Sequence, residues 1–284
     1  MAEKGLRLAS NKIVKRISST KNSIENVFVI VFENANANDV LNDAYFGKEL
    51  TTKGSLLSNY HGLRHPSQPN YIGMIAGSTH NCFFDTNIDI EGQTIVDLLE
   101  DRNLSWKSYQ ESYPGGCFTG DRYETYARKH NPFISFNNIR NNATRCARIV
   151  NSNELETDTE RGTLPAFMFY TPDMNHDGHD TSVQFASQWL KEFLEPKLAH
   201  PSFASTLFVI TYDESRTYFG NHIYTLLLGK GIPHPGSVDG TRYNHYSLLA
   251  TIEQIFALGN LGYNDASAAP FQLHPDCAAF SNSK

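Results

Sequence analysis

Long apolar runs are missing from this 284-residue sequence. The longest, Val27 to Phe32, falls far short of the roughly 18 to 20 residues a membrane helix needs, so a spanning helix is excluded. Cysteine is scarce: Cys82, Cys117, Cys146 and Cys277 include no C-x-x-C pair, which removes a zinc knuckle and a thioredoxin-type centre and leaves room for two disulfides. No G-x-S-x-G, Walker loop, H-E-x-x-H or G-x-G-x-x-G occurs, which argues against the usual serine hydrolases, P-loop NTPases, zincins and dinucleotide enzymes. With 40% hydrophobic and 19% charged residues, disorder, collagen and low-complexity classes are also out. What remains is enough chain for one large core or at most two.

Charge is unevenly spread. Residues 1 to 21 carry six Lys or Arg against Glu3 alone, and the rest holds 18 basic and 29 acidic residues, a balance of −11. A nucleic-acid-binding body is excluded on that balance. Residues 1–22 read as a flexible basic arm and 23–284 as one domain with an irregular insertion near 110–160, rich in Asn, Arg, Tyr and Gly. An even cysteine count and two sequons, Asn103-Leu-Ser and Asn142-Ala-Thr, point to a secreted or extracytoplasmic protein whose signal peptide is not present in this numbering, with the cytoplasm as the alternative. Oligomeric state is not legible.

Short β-branched and aromatic runs predict buried strands at Asn26 to Phe32, Ala166 to Tyr170, Thr206 to Tyr212 and Ile223 to Leu228. Helical periodicity marks Pro69 to Ala76, Thr94 to Glu100, Thr181 to Leu194 and Ser247 to Ala257. This alternation predicts an α/β sandwich around a largely parallel sheet.

Ligands bind beyond the carboxyl ends of such strands. There the sequence puts Glu33-Asn34, then Asp173-Met-Asn-His-Asp177-Gly-His179-Asp180, then Asp213-Glu214. Crowded carboxylates repel, and burying them unpaired costs roughly several kcal/mol each, so a metal ion is the economical explanation. The run from Asp173 to Gly178 also matches half a calcium loop, but Gln184 stands where a bidentate Glu is required. A nucleophile candidate lies in His65-Pro-Ser67-Gln-Pro-Asn70-Tyr, where Pro69 puts Ser67 at a helix N-terminus suited to phosphate. Among the histidines, His179 and His245 stand out; His61, His65, His176 and His222 lie near motifs; His80, His130, His200, His234 and His274 read as ordinary surface or core residues.

Together these motifs resemble the phosphoesterase family that contains acid phosphatases and bacterial phospholipases C, within the alkaline-phosphatase-like superfamily. The resemblance runs from about Val27 to about Phe271, and adds Tyr243-Asn-His245-Tyr-Ser-Leu-Leu to the segments above. It implies a three-layer alkaline-phosphatase-like sandwich with Glu33, Asn34, Ser67, Asp213 and Glu214 on the metal and Ser67 as nucleophile. It further implies that Asn34, Asn70 and His65 bind the phosphoryl group, His245 contacts the phosphate or joins a second metal, His179 binds phosphate or acts as acid, and Asp177 supports His179. The family usually has Asn where Asp173 and His176 stand here.

The expected chemistry is hydrolysis of a small phosphomonoester through a phosphoseryl intermediate, as in an acid phosphatase. The oxygen-rich ligand set suits Ca²⁺, Mg²⁺ or Mn²⁺, with zinc or iron if the histidines ligate. Two alternatives are a phospholipase C-like phosphodiesterase, needing an apolar approach through the Tyr109 to Phe136 region, and a non-catalytic phosphate- or glycan-binding protein.

Overall fold

All four expected strands lie side by side, the fourth shortened at its start, in the computed structural model, which describes residues 23–277; the basic arm lies outside the described residues. The large sheet holds β1 (Asn26–Phe32), β2 (Ser55–Leu57), β3 (Trp106–Gln110), β4 (Ile149–Asn151), β5 (Phe167–Thr171), β6 (Thr206–Tyr212), β7 (Thr225–Gly229) and β8 (Ser237–Asp239), in the order β8-β2-β7-β6-β1-β5-β3-β4. From β6 to β4 all neighbours run parallel. Strand β7 is antiparallel to both β6 and β2, because only a loop joins it to β6 and a parallel return would need a crossover helix. The segment expected as one strand from Ile223 therefore divides, and His222–Ile223 pairs instead with Tyr60–His61.

Residue alternation along β1 and β5 feeds two helical layers. On one face Phe28, Phe32 and Tyr170 contact Trp189 and Phe193 of α3 (Val183–Ala199), with Tyr170 and Phe193 ring centroids 4.6 Å apart. On the other, Phe169 meets Tyr71 of α1 (Gln68–Ala76), which packs with α2 (Ile95–Asp101) and α4 (His245–Phe256). Helix α2 is closed at its start by a capping box between Thr94 and Asp97, and α4 by one between Asn244 and Ser247. Buried apolar side chains form a continuous cluster from Ile24 to Phe271.

The segment expected to be an irregular insertion does more than cover the sheet edge: it supplies edge strand β4, and the Cys117–Cys146 disulfide closes it. Of the two disulfides the cysteine count allows, this is the one the structure forms; the Cys82 thiol is buried, 3.4 Å from the Phe84 carbonyl. Tyr109, Tyr113, Tyr126, Phe133 and Phe136 are buried, and Tyr123 is the exposed aromatic of the region the phospholipase alternative called for. No helix among the described residues is long and apolar enough to cross a membrane.

Candidate active site

Backbone hydrogen bonds stitch the three acidic segments together at the carboxyl edge of the sheet. The Glu33 N–H donates to the Asp177 carbonyl at 3.0 Å, and the Asp213 N–H donates to the Phe32 carbonyl at 3.0 Å. Asn34 takes the left-handed conformation, φ 43°, which an asparagine tolerates better than most side chains. Its N–H then reaches Asp213 Oδ1 at 3.4 Å.

Ser67 stands at the N-cap position of α1, as the Pro69 signal predicts, and it is buried with its hydroxyl free of any capping bond. Its hydroxyl lies 2.9 Å from Glu33 Oε2 and 3.2 Å from Glu214 Oε1. The Asn34 amide lies 3.2 Å from those same two oxygens. With its nitrogen toward them, Asn34 donates to both; with its carbonyl toward them, it completes with Ser67 Oγ an all-oxygen cluster that a cation would reconcile. Asp213 Oδ2 is buried without a hydrogen-bond partner among the described residues. Burial and the charges of Glu33 and Glu214 push the Asp213 carboxyl well above its usual range, and burial with Glu33 lifts Glu214 to about 8. Glu33, Asn34, Ser67, Asp213 and Glu214 thus fit a divalent cation by donor type and by uncompensated charge.

His130, read from the sequence as an ordinary residue, is buried between two of these acids. Its Nε2 is 3.1 Å from Glu33 Oε1 and its Nδ1 is 3.3 Å from Asp177 Oδ2, with the Tyr71 ring stacked on it at 5.0 Å. Burial alone would lower its pKa, but Glu33 and Asp177 raise it to about 9, so the ring is an imidazolium at neutral pH. In return, His130 and Lys129 overcome the burial of Glu33 and hold that carboxylate at about 2. For Asp177 burial prevails over His130 and lifts the carboxyl to about 6. Lys129, also missed, reaches Asp85 Oδ2 at 3.1 Å and His179 Nε2 at 3.3 Å; Asp85 in turn accepts from the Gln68 N–H at 2.9 Å. The one signal for this pair was arithmetic: buried acids need countercharge, and Arg128-Lys129-His130 is a basic triplet inside an otherwise polar stretch.

A cavity of about 300 Å³ opens over Ser67 and is bordered by Asn34, His65, Lys129, His179 and Glu214. Here His65 Nδ1 contacts Glu214 Oε2, and the Tyr218 ring packs on its imidazole at 4.8 Å. His179 donates from Nδ1 to Asp180 Oδ1 at 2.7 Å, so Asp180 takes its ring, while Asp177 Oδ1 accepts the His179 backbone N–H at 2.7 Å. Gly178 sits between them at φ +95°, a conformation that glycine adopts without strain.

Two expected substrate contacts are hydrogen-bonded within the fold. Asn70 is buried, with Oδ1 accepting from the Leu63 and Arg64 N–H groups and Nδ2 donating to the Arg64 and Pro66 carbonyls, so its amide shapes the loop before Ser67. His245 is buried, too: Nε2 donates to the Asp213 carbonyl at 2.6 Å and Nδ1 accepts from the Tyr60 hydroxyl at 3.2 Å. Burial pushes its pKa down to about 4, leaving a neutral ring that braces Asp213 from behind.

Glu111, Asp173 and His176 form a second acid and histidine cluster beside this loop, with Glu111 Oε2 2.9 Å from His176 Nδ1. Asp173 is already saturated: Oδ1 accepts from the Asn175 and His176 N–H groups, and Oδ2 from the Ser112 and Thr125 hydroxyls. The cluster ties the loop to β3, which explains the acid and histidine where the family usually has asparagine, and the half calcium loop is spent on these internal bonds.

A largely parallel sheet covered by helices on both faces gives this chain an alkaline-phosphatase-like α/β fold. A solved structure of a protein in the alkaline phosphatase superfamily from Vibrio parahaemolyticus has that fold, with a TM-score of 0.60 at 14% identity over 86% of this chain and 70% of that one. The chain belongs to the Phosphoesterase family, whose profile matches residues 41–259. A probable acid phosphatase of Kluyveromyces lactis is 39% identical over 268 residues, 90% of this chain and 63% of that protein. The phosphate-repressible acid phosphatase of Penicillium chrysogenum is 36% identical over 245 residues, 82% of this chain and 60% of that protein. The chain thus spans about three-fifths of the length of these relatives.

Proposed function

We propose that this protein hydrolyses phosphomonoesters through a phosphoseryl intermediate, as an acid phosphatase. The observation that carries this reading is Ser67 Oγ at the N-terminus of α1, hydrogen-bonded to Glu33 and Glu214 under an open cavity. Ser67 Oγ forms a bond to phosphorus as the bond from phosphorus to the ester oxygen breaks. The serine proton passes to the carboxylate oxygens it already faces, and the leaving alkoxide takes a proton from the Lys129–His179 pair. Water oxygen then bonds to phosphorus as the bond from phosphorus to Ser67 Oγ breaks; one water proton returns to the Lys129–His179 pair, the carboxylate proton returns to Oγ, and phosphate leaves. Asn34, Lys129 and the positive end of the α1 dipole face the charge that builds on the phosphoryl oxygens.

Glu33, Asn34, Ser67, Asp213 and Glu214 would hold a divalent cation, whose chemistry is to lower the pKa of the serine hydroxyl and neutralise phosphoryl charge. Because His179 and His245 stand outside that oxygen set, calcium, magnesium or manganese suits it better than zinc or iron. The Cys117–Cys146 disulfide and the exposed sequon residues Asn103 and Asn142 support work in an oxidising compartment outside the cytoplasm.

The test is hydrolysis of 4-nitrophenyl phosphate and bis(4-nitrophenyl) phosphate by wild type and Ser67→Ala, before and after chelation. Monoester turnover that vanishes in Ser67→Ala is expected. Turnover of the diester alone would move the reading to a phosphodiesterase, and no turnover of either would leave a phosphate-binding protein.

A further inference from the structure

A phosphoryl group seated over Ser67 lies in a cavity of about 300 Å³. The wall made by Asp85, Lys129 and His179 is shared with a second, larger cavity of about 500 Å³. A separate cavity of about 490 Å³ beside Arg64 and Arg242 shares no lining residue with the serine pocket. The larger cavity adjoins the serine pocket at Lys129 and His179, so a leaving alcohol that extends past these two side chains enters it.

The chemistry of that cavity is mixed. Met174 and Ala127, both buried, give it an apolar floor, and Thr86 and Asn87 give it a polar rim. Two cations border it. Lys129 is committed to Asp85 and His179, and it also faces the charge of Glu33. Arg122 is different: among the described residues it pairs with Asp180 alone, at 3.5 Å, both side chains are roughly half exposed, and Asp180 is already engaged with His179 at 2.7 Å. Asp121, the neighbouring acid, is occupied by the Asn87 amide. Arg122 thus presents a planar fork of donors, loosely held, across the cavity that receives the alcohol.

We propose that Arg122 is a specificity-determining residue and that the preferred substrate class is a phosphomonoester whose ring-sized alcohol carries a second phosphate, which Arg122 binds. This rests on the phosphatase reading above. A cavity of this volume accepts a hexose-sized ring with its substituent, and the guanidinium fork matches phosphate oxygens two at a time.

The experiment compares kcat/KM of wild type, Arg122→Gln and Arg122→Lys on 4-nitrophenyl phosphate, glucose 6-phosphate and glucose 1,6-bisphosphate at constant ionic strength. Wild type is expected to favour the bisphosphate over the monophosphate by about tenfold or more, the value of one charge-assisted bidentate contact. Arg122→Gln should lose that preference while keeping turnover of the aryl ester within about twofold, and Arg122→Lys should restore part of it. Equal turnover of the two sugar esters by wild type overturns the proposal. An equal loss on all three esters in Arg122→Gln overturns it as well, showing that Arg122 acts through Asp180 and His179 instead. If wild type turns over no ester at all, the phosphatase reading itself falls, which is a different result from aryl ester turnover without the preference.

Discussion

His130 and Glu33 form a fully buried ion pair, Nε2 to Oε1 at 3.1 Å, directly behind the carboxylate that holds Ser67. A carboxylate in that position without a countercharge would draw a proton and lose its grip on the hydroxyl. The imidazolium keeps Glu33 ionised, and Asp177 on its other side keeps the imidazolium charged.

Replacing His130 by alanine removes one partner of this pair and strands the other. The expected loss is about 3 to 5 kcal/mol of stability, a fall of order 10 °C in Tm, with activity lost in parallel. Thermal unfolding monitored by circular dichroism checks it; an unchanged Tm would mean that Glu33 finds its compensation elsewhere.

Chelation should destabilise as well as inactivate. Asp213 and Glu214 crowd Glu33, and both carboxyls are displaced upward by burial and by that crowding. Removing a bound cation restores the repulsion, so Tm should fall with added chelator and recover with excess calcium, magnesium or manganese. Differential scanning calorimetry with and without each metal reads this directly, and identical traces would deny the site a cation.

Asn70→Ala separates loop building from substrate contact. Four hydrogen bonds to the backbone from Leu63 to Pro66 are lost, and buried donors and acceptors are left unmet at about 1 to 3 kcal/mol. Tm should therefore drop even without any ligand, by several degrees. A variant with wild-type Tm and a raised KM for 4-nitrophenyl phosphate would instead restore the direct phosphoryl contact implied by the family resemblance.

Glu253 supplies a pH dependence remote from the active site. It is buried on α4, and burial together with Asp265 raises its carboxyl to about 9. The folded state then binds a proton that the unfolded chain releases near pH 4.5, so this group's contribution to stability falls as pH rises from about 4.5 to about 9. Glu253→Gln should leave Tm nearly unchanged at pH 4.5 and raise it by a few degrees at pH 8. Chemical denaturation at the two pH values checks the sign, and a variant less stable at pH 8 would refute it.

The sequence alone determined the strands β1, β5 and β6, the helix that starts at Ser67, and the polar residues that follow each strand, because burial on both faces and a proline at a helix start leave local patterns. It also placed Glu33, Asn34, Asp213 and Glu214 at one edge, since parallel strands align their carboxyl ends. Only the tertiary structure decided what each side chain does there. His130 comes from a segment without periodicity, and its charge is set by two carboxylates 97 and 47 residues away in the chain. Asn70 and His245 read as ligand contacts in the motif, yet their hydrogen bonds are spent inside the fold, on the loop before Ser67 and on the Asp213 carbonyl. A motif specifies which donors and acceptors are available; burial and the nearest unsatisfied partner specify where they are spent, and both are properties of the packed chain.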